Sequence, residues 1–378
     1  MKVKQYKYIN DKWDKELDYS LDSHSTLIII FGNKDKEVVP IINNFPQSKI
    51  IGCSSGGEIC KDFYTLNDSL VISVIQFEKS SLTTVTVDIN NYDDSFSKGK
   101  EIFSALQDEN LKGIITFAPG LTINGTKFVA GLSSTKGACT ICGGLAGNSD
   151  ITETFIYSNK GKELDKAVAV GVYGEDVEVF SSAYSGVAPI SLEREITLAK
   201  DNIVFEIDNM TAYEFYCKYL PDSLEISQDN FNSLSFQFPL SIADNLNIDE
   251  DTVRTPIGLN ITNGSIIFSG EFTTGDKVRL LRATTDRFIE GANKACRNLY
   301  SEIGNRENLV IAVSCVGRRS VLRDYIDDEI VTMKNIVSHH GTLCGFYSFG
   351  EISDRTNNYS VFHNQTMNLI GIVENKDE

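Results

Sequence analysis

The chain has 378 residues, 41% of them hydrophobic and 23% charged, enough for two domains with sizeable cores. A formal net charge of −17 excludes nucleic acid and anionic membrane surfaces as partners, since both require clustered Lys and Arg. Scattered cysteines, no apolar signal-peptide stretch at the N-terminus and no run of about 18 apolar residues predict a reduced, cytoplasmic protein without membrane insertion.

In chain order, Leu27-Ile28-Ile29-Ile30-Phe31 reads as a buried strand closing at Gly32. Val38, Ile41, Ile42 and Phe45 follow at helical spacing, with Pro40 acceptable only near a first turn. Ile50-Ile51 then runs into GCSSGGEI at residues 52–59, and SLVISVIQF and LTTVTVDI read as an antiparallel pair. The order recurs from Gly113–Phe117 through a short helix with Phe128, Val129 and Leu132 to ACTIC and a Gly-rich turn at 143–147. Between this unit and the next, REITLAKDNIVFEI turns at Asp201-Asn202, TAYEFYCKYL is helical, and Asp244–Asp251 reads as a solvated acidic loop. Further turns fall at Asn263-Gly264 and Thr274-Gly275, and an amphipathic helix covers about Thr285 to Ile303. The order appears a third time as Leu309–Ser314, a longer helix with Leu322, Tyr325, Ile326, Met333, Ile336 and Val337, and TLC leading into GFYSFGEI at 345–352. Crossover helices permit parallel pairing and the hairpins add antiparallel strands. The expected class is α+β. It comprises two related domains, each a mixed sheet with crossover helices on its outer face and a repeated strand–helix–strand–Gly-turn unit.

The octapeptide present near both ends marks the candidate site. A Gly-rich turn closing a strand lets backbone approach another group closely. Gly52, Cys53, Ser54, Ser55, Gly57 and Glu58 of the first copy are candidate ligand contacts, as are Gly345, Phe346, Tyr347, Ser348, Gly350 and Glu351 of the second. Gly143 and Gly144 join them from the middle unit, which lacks the Glu of the GEI ending. The competing reading of Glu58 and Glu351 is that each fixes its turn through backbone N–H groups. Cys315, beside Gly317 and Arg318, is either an activated thiol or a small apolar plug. Arg318 suits a ligand carboxylate bidentately, with Glu351 at the ligand's amine. Other motifs are weaker. Cys139-x-x-Cys142 splits its thiols between two faces of a strand and has no second pair at zinc spacing. His339-His340 reads as the end of a helix. The turn at 143–147 lacks a phosphate loop's ending, and Ser54 meets GxSxG without the helix that should follow or an assignable His/Asp partner. No metal or cofactor is expected.

IIGCSSGGEI, TICGGLAGN, NIVFEIDNMTAYEFY, RTPIGLN, GEFTTGDKVRLL, AVSCVGRR and TLCGFYSFGEI, in that order, resemble the FIST family of paired N- and C-terminal sensor domains. The resemblance implies a FIST N-terminal domain over 24–215 and a FIST C-terminal domain over 216–372. It also implies a signal-transduction sensor binding small molecules such as amino acids, with Cys315 in the family's ligand-lining CxGR turn. No length remains for an output module, so the expected partner is a separate signalling protein. The alternatives are a thiol- or serine-dependent enzyme on Cys315 or Ser54, and an interaction scaffold presenting Phe346, Tyr347 and Phe349.

Overall fold

The computed structural model describes the whole chain except residues 61–63, 66–68, 90–93, 136, 221–225, 228–229, 244–250, 338–339, 355–358 and 376–378. The first repeated unit is strand Thr26–Gly32, helix Asp35–Asn44 and strand Lys49–Cys53, with the two strands parallel. The middle unit is strand Leu111–Pro119, helix Gly125–Ser133 and strand Thr140–Ala146, again parallel. The third is strand Asn308–Cys315, helices Val316–Leu322 and Ile326–Lys334, and strand Gly341–Ser348. Each unit then sends a strand back antiparallel beside its first: Leu70–Gln76, Lys166–Tyr173 and Met367–Glu374. The fold is α+β with mixed sheets, as the alternation of crossovers and hairpins predicts.

A cyclic exchange joins the units. The short strand after each Gly-rich turn leaves its own sheet for a neighbour's. Glu58–Cys60 pairs with Gly341–Ser348, Gly350–Asp354 with Thr140–Ala146, and Ile156–Ser158 with Lys49–Cys53. First hands to third, third to middle, and middle to first. The three sheets face one apolar core, and strict alternation sorts their side chains. Leu27, Ile29, Phe31, Ile115, Phe117, Ile311, Val313 and Phe346 point inward to a common cluster. Ile28, Ile30 and Ile50 point outward to the first unit's helix; Ile114 and Ile141, and Val310 and Leu343, do the same for the others. At the centre the rings of Phe31, Phe117 and Phe346 meet with centroids 4.7–5.6 Å apart.

Residues between the middle and third units form a separate antiparallel sheet with its own core of Ile196, Phe215, Tyr216, Phe268 and Leu280. Here the turn chemistry holds. Asp201 and Gly264 adopt positive φ between paired strands, and Thr211 and Glu214 form a capping box ahead of helix Ala212–Tyr219. The amphipathic helix runs Thr285–Ile303, burying Phe288, Ala292, Ala295, Cys296 and Leu299 against the third unit.

Several expectations are corrected. Leu70–Gln76 and Ser81–Asp88 do not pair with each other; they lie in different sheets. The Glu374 carboxylate accepts the backbone N–H groups of Glu78, Lys79 and Ser80 and turns the chain from one sheet to the next. Pro40 lies inside its helix, beyond the first turn. The third unit's helix breaks at Arg323, whose φ is 51°. Its second part ends at Lys334, so His340 lies beyond it and its carbonyl accepts the Asn308 N–H. His339 and residues 244–250 lie outside the described residues. Asp251 is buried, not solvated, and pairs with Arg279 at 2.7 Å.

Candidate functional site

The three Gly-rich turns converge at one end of the shared core and close on one another. The Gly56 N–H donates to the Tyr347 carbonyl at 2.8 Å, Phe349 to Leu145 at 3.2 Å, and Gly147 to Ser54 at 3.1 Å. The donors follow the same cyclic order as the strand exchange, each two residues after a matching acceptor position. The missing side chains make room for protein atoms. A Cβ on Gly52, Gly143 or Gly345 would strike the carbonyl oxygen of Ile30, Thr116 or Ala312, and one on Gly350 would strike the Phe362 ring. Gly144 faces Val313. Cys53 and Phe346 belong to the common core. Ser54 Oγ accepts the Phe155 N–H at 3.1 Å, and Ser55 Oγ accepts the N–H of Gly57 at 2.9 Å. These residues are brought together, but the glycines abut protein. Tyr347 is fully buried and its hydroxyl donates to Glu329 at 3.2 Å, so Phe346 and Tyr347 offer no exposed aromatic hot spot.

Both glutamates of the repeated motif are buried, and both act as latches. Ser69 Oγ donates to Glu58. Ser348 Oγ donates to Glu351 at 2.6 Å, while Thr366 donates its N–H at 3.1 Å and its hydroxyl at 2.9 Å. Ser69 and Thr366 each immediately precede their unit's returning strand. The middle unit's matching position is Ile156, which lies opposite Cys53 as Glu58 lies opposite Phe346 and Glu351 opposite Gly144. Burial pushes the Glu351 carboxyl up to about 7, against the pull of Ser348, Thr366 and Arg318.

Cys315 ends its strand and occupies the N-cap position of helix Val316–Leu322 without a capping hydrogen bond from its side chain. Burial and the Glu351 charge push its thiol up, which opposes the activated-thiol reading. Gly317 packs against the Gln365 amide and Cys315 Sγ. Arg318 is fully buried, and protein acceptors occupy its donors. Nε and Nη2 donate to Glu329 at 3.0 and 2.5 Å, Nη2 also to the Phe288 carbonyl at 2.7 Å, and Nη1 to the carbonyls of Ser185 at 2.6 Å and Gln365 at 3.3 Å. Five donors meet five acceptor contacts, so the expected grip on a ligand carboxylate is replaced by a structural ion pair that gathers four segments.

The loop His363–Thr366 was missed by sequence reasoning, since a polar run between two strands reads as an ordinary turn. It is buried, and Gln365 has a φ of 59°. Asn364 accepts from Ser269, Gln365 donates from Nε2 to the Phe236 carbonyl, and Thr366 holds Glu351. Ser314 Oγ, Asn364 Nδ2 and Gln365 Oε1 are buried polar atoms that lack a hydrogen-bond partner among the described residues. The candidate site therefore comprises the Cys315–Gly317 turn, Glu351 and this loop, joined through the bonds of Thr366 to Glu351 and of Cys315 to Thr366. Among the described residues no group of three or more His, Cys, Asp and Glu has the arrangement to hold a metal.

Comparison with known proteins agrees with the motifs. The FIST N domain family matches residues 26–210 and the FIST C domain family matches residues 212–354. An uncharacterized protein of Methanocaldococcus jannaschii is 22% identical over 200 residues, which cover 49% of this chain and 38% of that protein. The chain thus spans well under half of that relative's length. Among solved structures, phosphoribosylformylglycinamidine synthase II of Thermotoga maritima aligns over 93% of this chain and 67% of its own, at 7% identity and a TM-score of 0.13, which carries no argument. With both domain families matching in order over most of its length, the chain belongs to the FIST family.

Proposed function

We propose that this chain senses a small polar metabolite at the junction of the third unit's turn and the loop His363–Thr366. FIST domains are in general sensor domains of signal transduction. The observation that carries the location is the trio of partnerless buried atoms, Ser314 Oγ, Asn364 Nδ2 and Gln365 Oε1. A buried polar group left unpaired costs about 1–3 kcal/mol, and a guest with both donors and acceptors offsets that cost. Glu351 and Gln365 Oε1 suit an amine or amide donor, and Asn364 Nδ2 suits an acceptor. An amino acid or its amide meets this pattern, with its carboxylate addressed by Asn364 and not by Arg318. The raised Cys315 thiol supports binding over nucleophilic catalysis. A cytoplasmic setting and a separate downstream protein belong to the same reading, supported by the dispersed cysteines and by the absence of a membrane-length apolar helix among the described residues.

A thermal-shift screen of amino acids, their amides, dipeptides and organic acids tests the site. A ligand at 100 times its Kd should add about 2.7 kcal/mol. Ser314→Ala removes one orphaned hydroxyl without disturbing a hydrogen bond of that side chain, and Gln365→Asn shortens the acceptor. Both should weaken the hit. A hit that binds both variants as tightly as the parent places the ligand elsewhere.

A further inference from the structure

Outside the converging turns, the N-terminal hairpin builds a second concave surface. Lys2–Ile9 turns through Asn10 and Asp11, with φ of 52° and 59°, into Lys12–Trp13. The register sets Trp13 opposite Tyr8, and their rings meet edge-on with centroids 5.3 Å apart. The chain then passes Lys15, Glu16 and Leu17 to Tyr19, whose ring lies 5.4 Å from that of Phe45. Helix Asp35–Asn44 supplies Glu37 and Pro40 from the other side. Together these residues line a groove of about 570 Å³. Its lining residues from Trp13 to Tyr19 precede the family match, which begins at residue 26.

Trp13, Leu17, Tyr19 and Pro40 give the groove apolar walls, and Glu16 and Glu37 add two carboxylates. Among the described residues neither carboxylate has an ion-pair partner within 4 Å. Glu37 lies beside the Tyr8 phenol, which burial and that charge push up. Lys15, the one cation among the described lining residues, is turned toward the Tyr6 ring, 5.1 Å from its centroid, on the side of the adjoining cavity. Aromatic faces flanked by carboxylates attract an organic cation through the ring quadrupole and the local charge. The net charge of −17 works in the same direction and against an anion.

We propose that this groove binds a quaternary ammonium group, stacked on Trp13 and Tyr19 and neutralised by Glu16 and Glu37. Trp13 is the single tryptophan of the chain, so intrinsic fluorescence reports on the groove and is independent of the site at Ser314 and Gln365. Titration with choline should shift the Trp13 emission saturably. The neutral isostere 3,3-dimethyl-1-butanol should bind about fivefold more weakly, the range expected for an exposed cation–π contact. Glu16→Gln and Glu37→Gln, singly and together, should weaken choline progressively while leaving the thermal transition in place, and added salt should do the same. The proposal is overturned by the lack of a saturable shift, by equal binding of the isostere or of glucose, or by a choline affinity unchanged in the double variant.

Discussion

The Glu351 carboxyl has no exposed surface, and burial holds it near 7 from an ordinary value of 4.5. Between those two values the folded chain keeps a proton that the unfolded chain has released. Stability therefore falls as pH rises through this window, by up to about 3 kcal/mol, and levels off above it. Glu351→Gln copies the protonated form and should flatten the dependence. Melting temperatures from pH 4.5 to 8 test this, and a parent-like slope in the variant would assign the titration to another group. The duplication of Glu58 and Glu351 marked both residues in the sequence. Their partners were not legible, because Thr366 is fifteen residues from Glu351 and reaches it only through the returning strand. Arg318 shows the same gap: a guanidinium in a Gly-containing turn reads as an anion anchor until Glu329, Ser185, Phe288 and Gln365 are brought around it.

Among the elements, the Gly-rich turns were legible as close-approach points, but what approaches them was not. Gly143 has a φ of 144°, and a side chain there meets the Thr116 carbonyl as well. Gly143→Ala should destabilise on the order of 3 kcal/mol or more, read as the urea midpoint. Gly137→Ala, with open space around the added Cβ, should stay within about 0.5 kcal/mol of the parent. Comparable midpoints for the two variants would refute the packing role of the middle turn. Strand and helix identity followed from periodicity, and helix Thr285–Ile303 matches its amphipathic stretch. Strand partners did not follow, since Ser81–Asp88 is a good strand in either of two sheets, and the Glu374 clamp on the preceding turn decides between them.

For the whole molecule, the cyclic exchange makes the two matched regions interdependent. Residues 1–210 alone leave Glu58–Cys60 and Val177–Tyr184 without Gly341–Ser348 and Met367–Glu374. They also lose the third unit's share of the common core. Fragments 1–210 and 211–378 should each lack a cooperative thermal transition, and co-refolding should restore one; a cooperative melt of 1–210 alone would contradict the exchange. Alternating and helical periodicities, turn glycines and the repeated octapeptide determine the α+β class, the element order and three similar units, and seven ordered motifs carry the likeness to the family, because each is a local property of neighbouring residues. Which sheet receives each exchanged strand, which atoms fill the space beside the glycines, and which buried polar groups go unpaired were decided by tertiary structure alone, because contacts between distant segments leave no period in the chain.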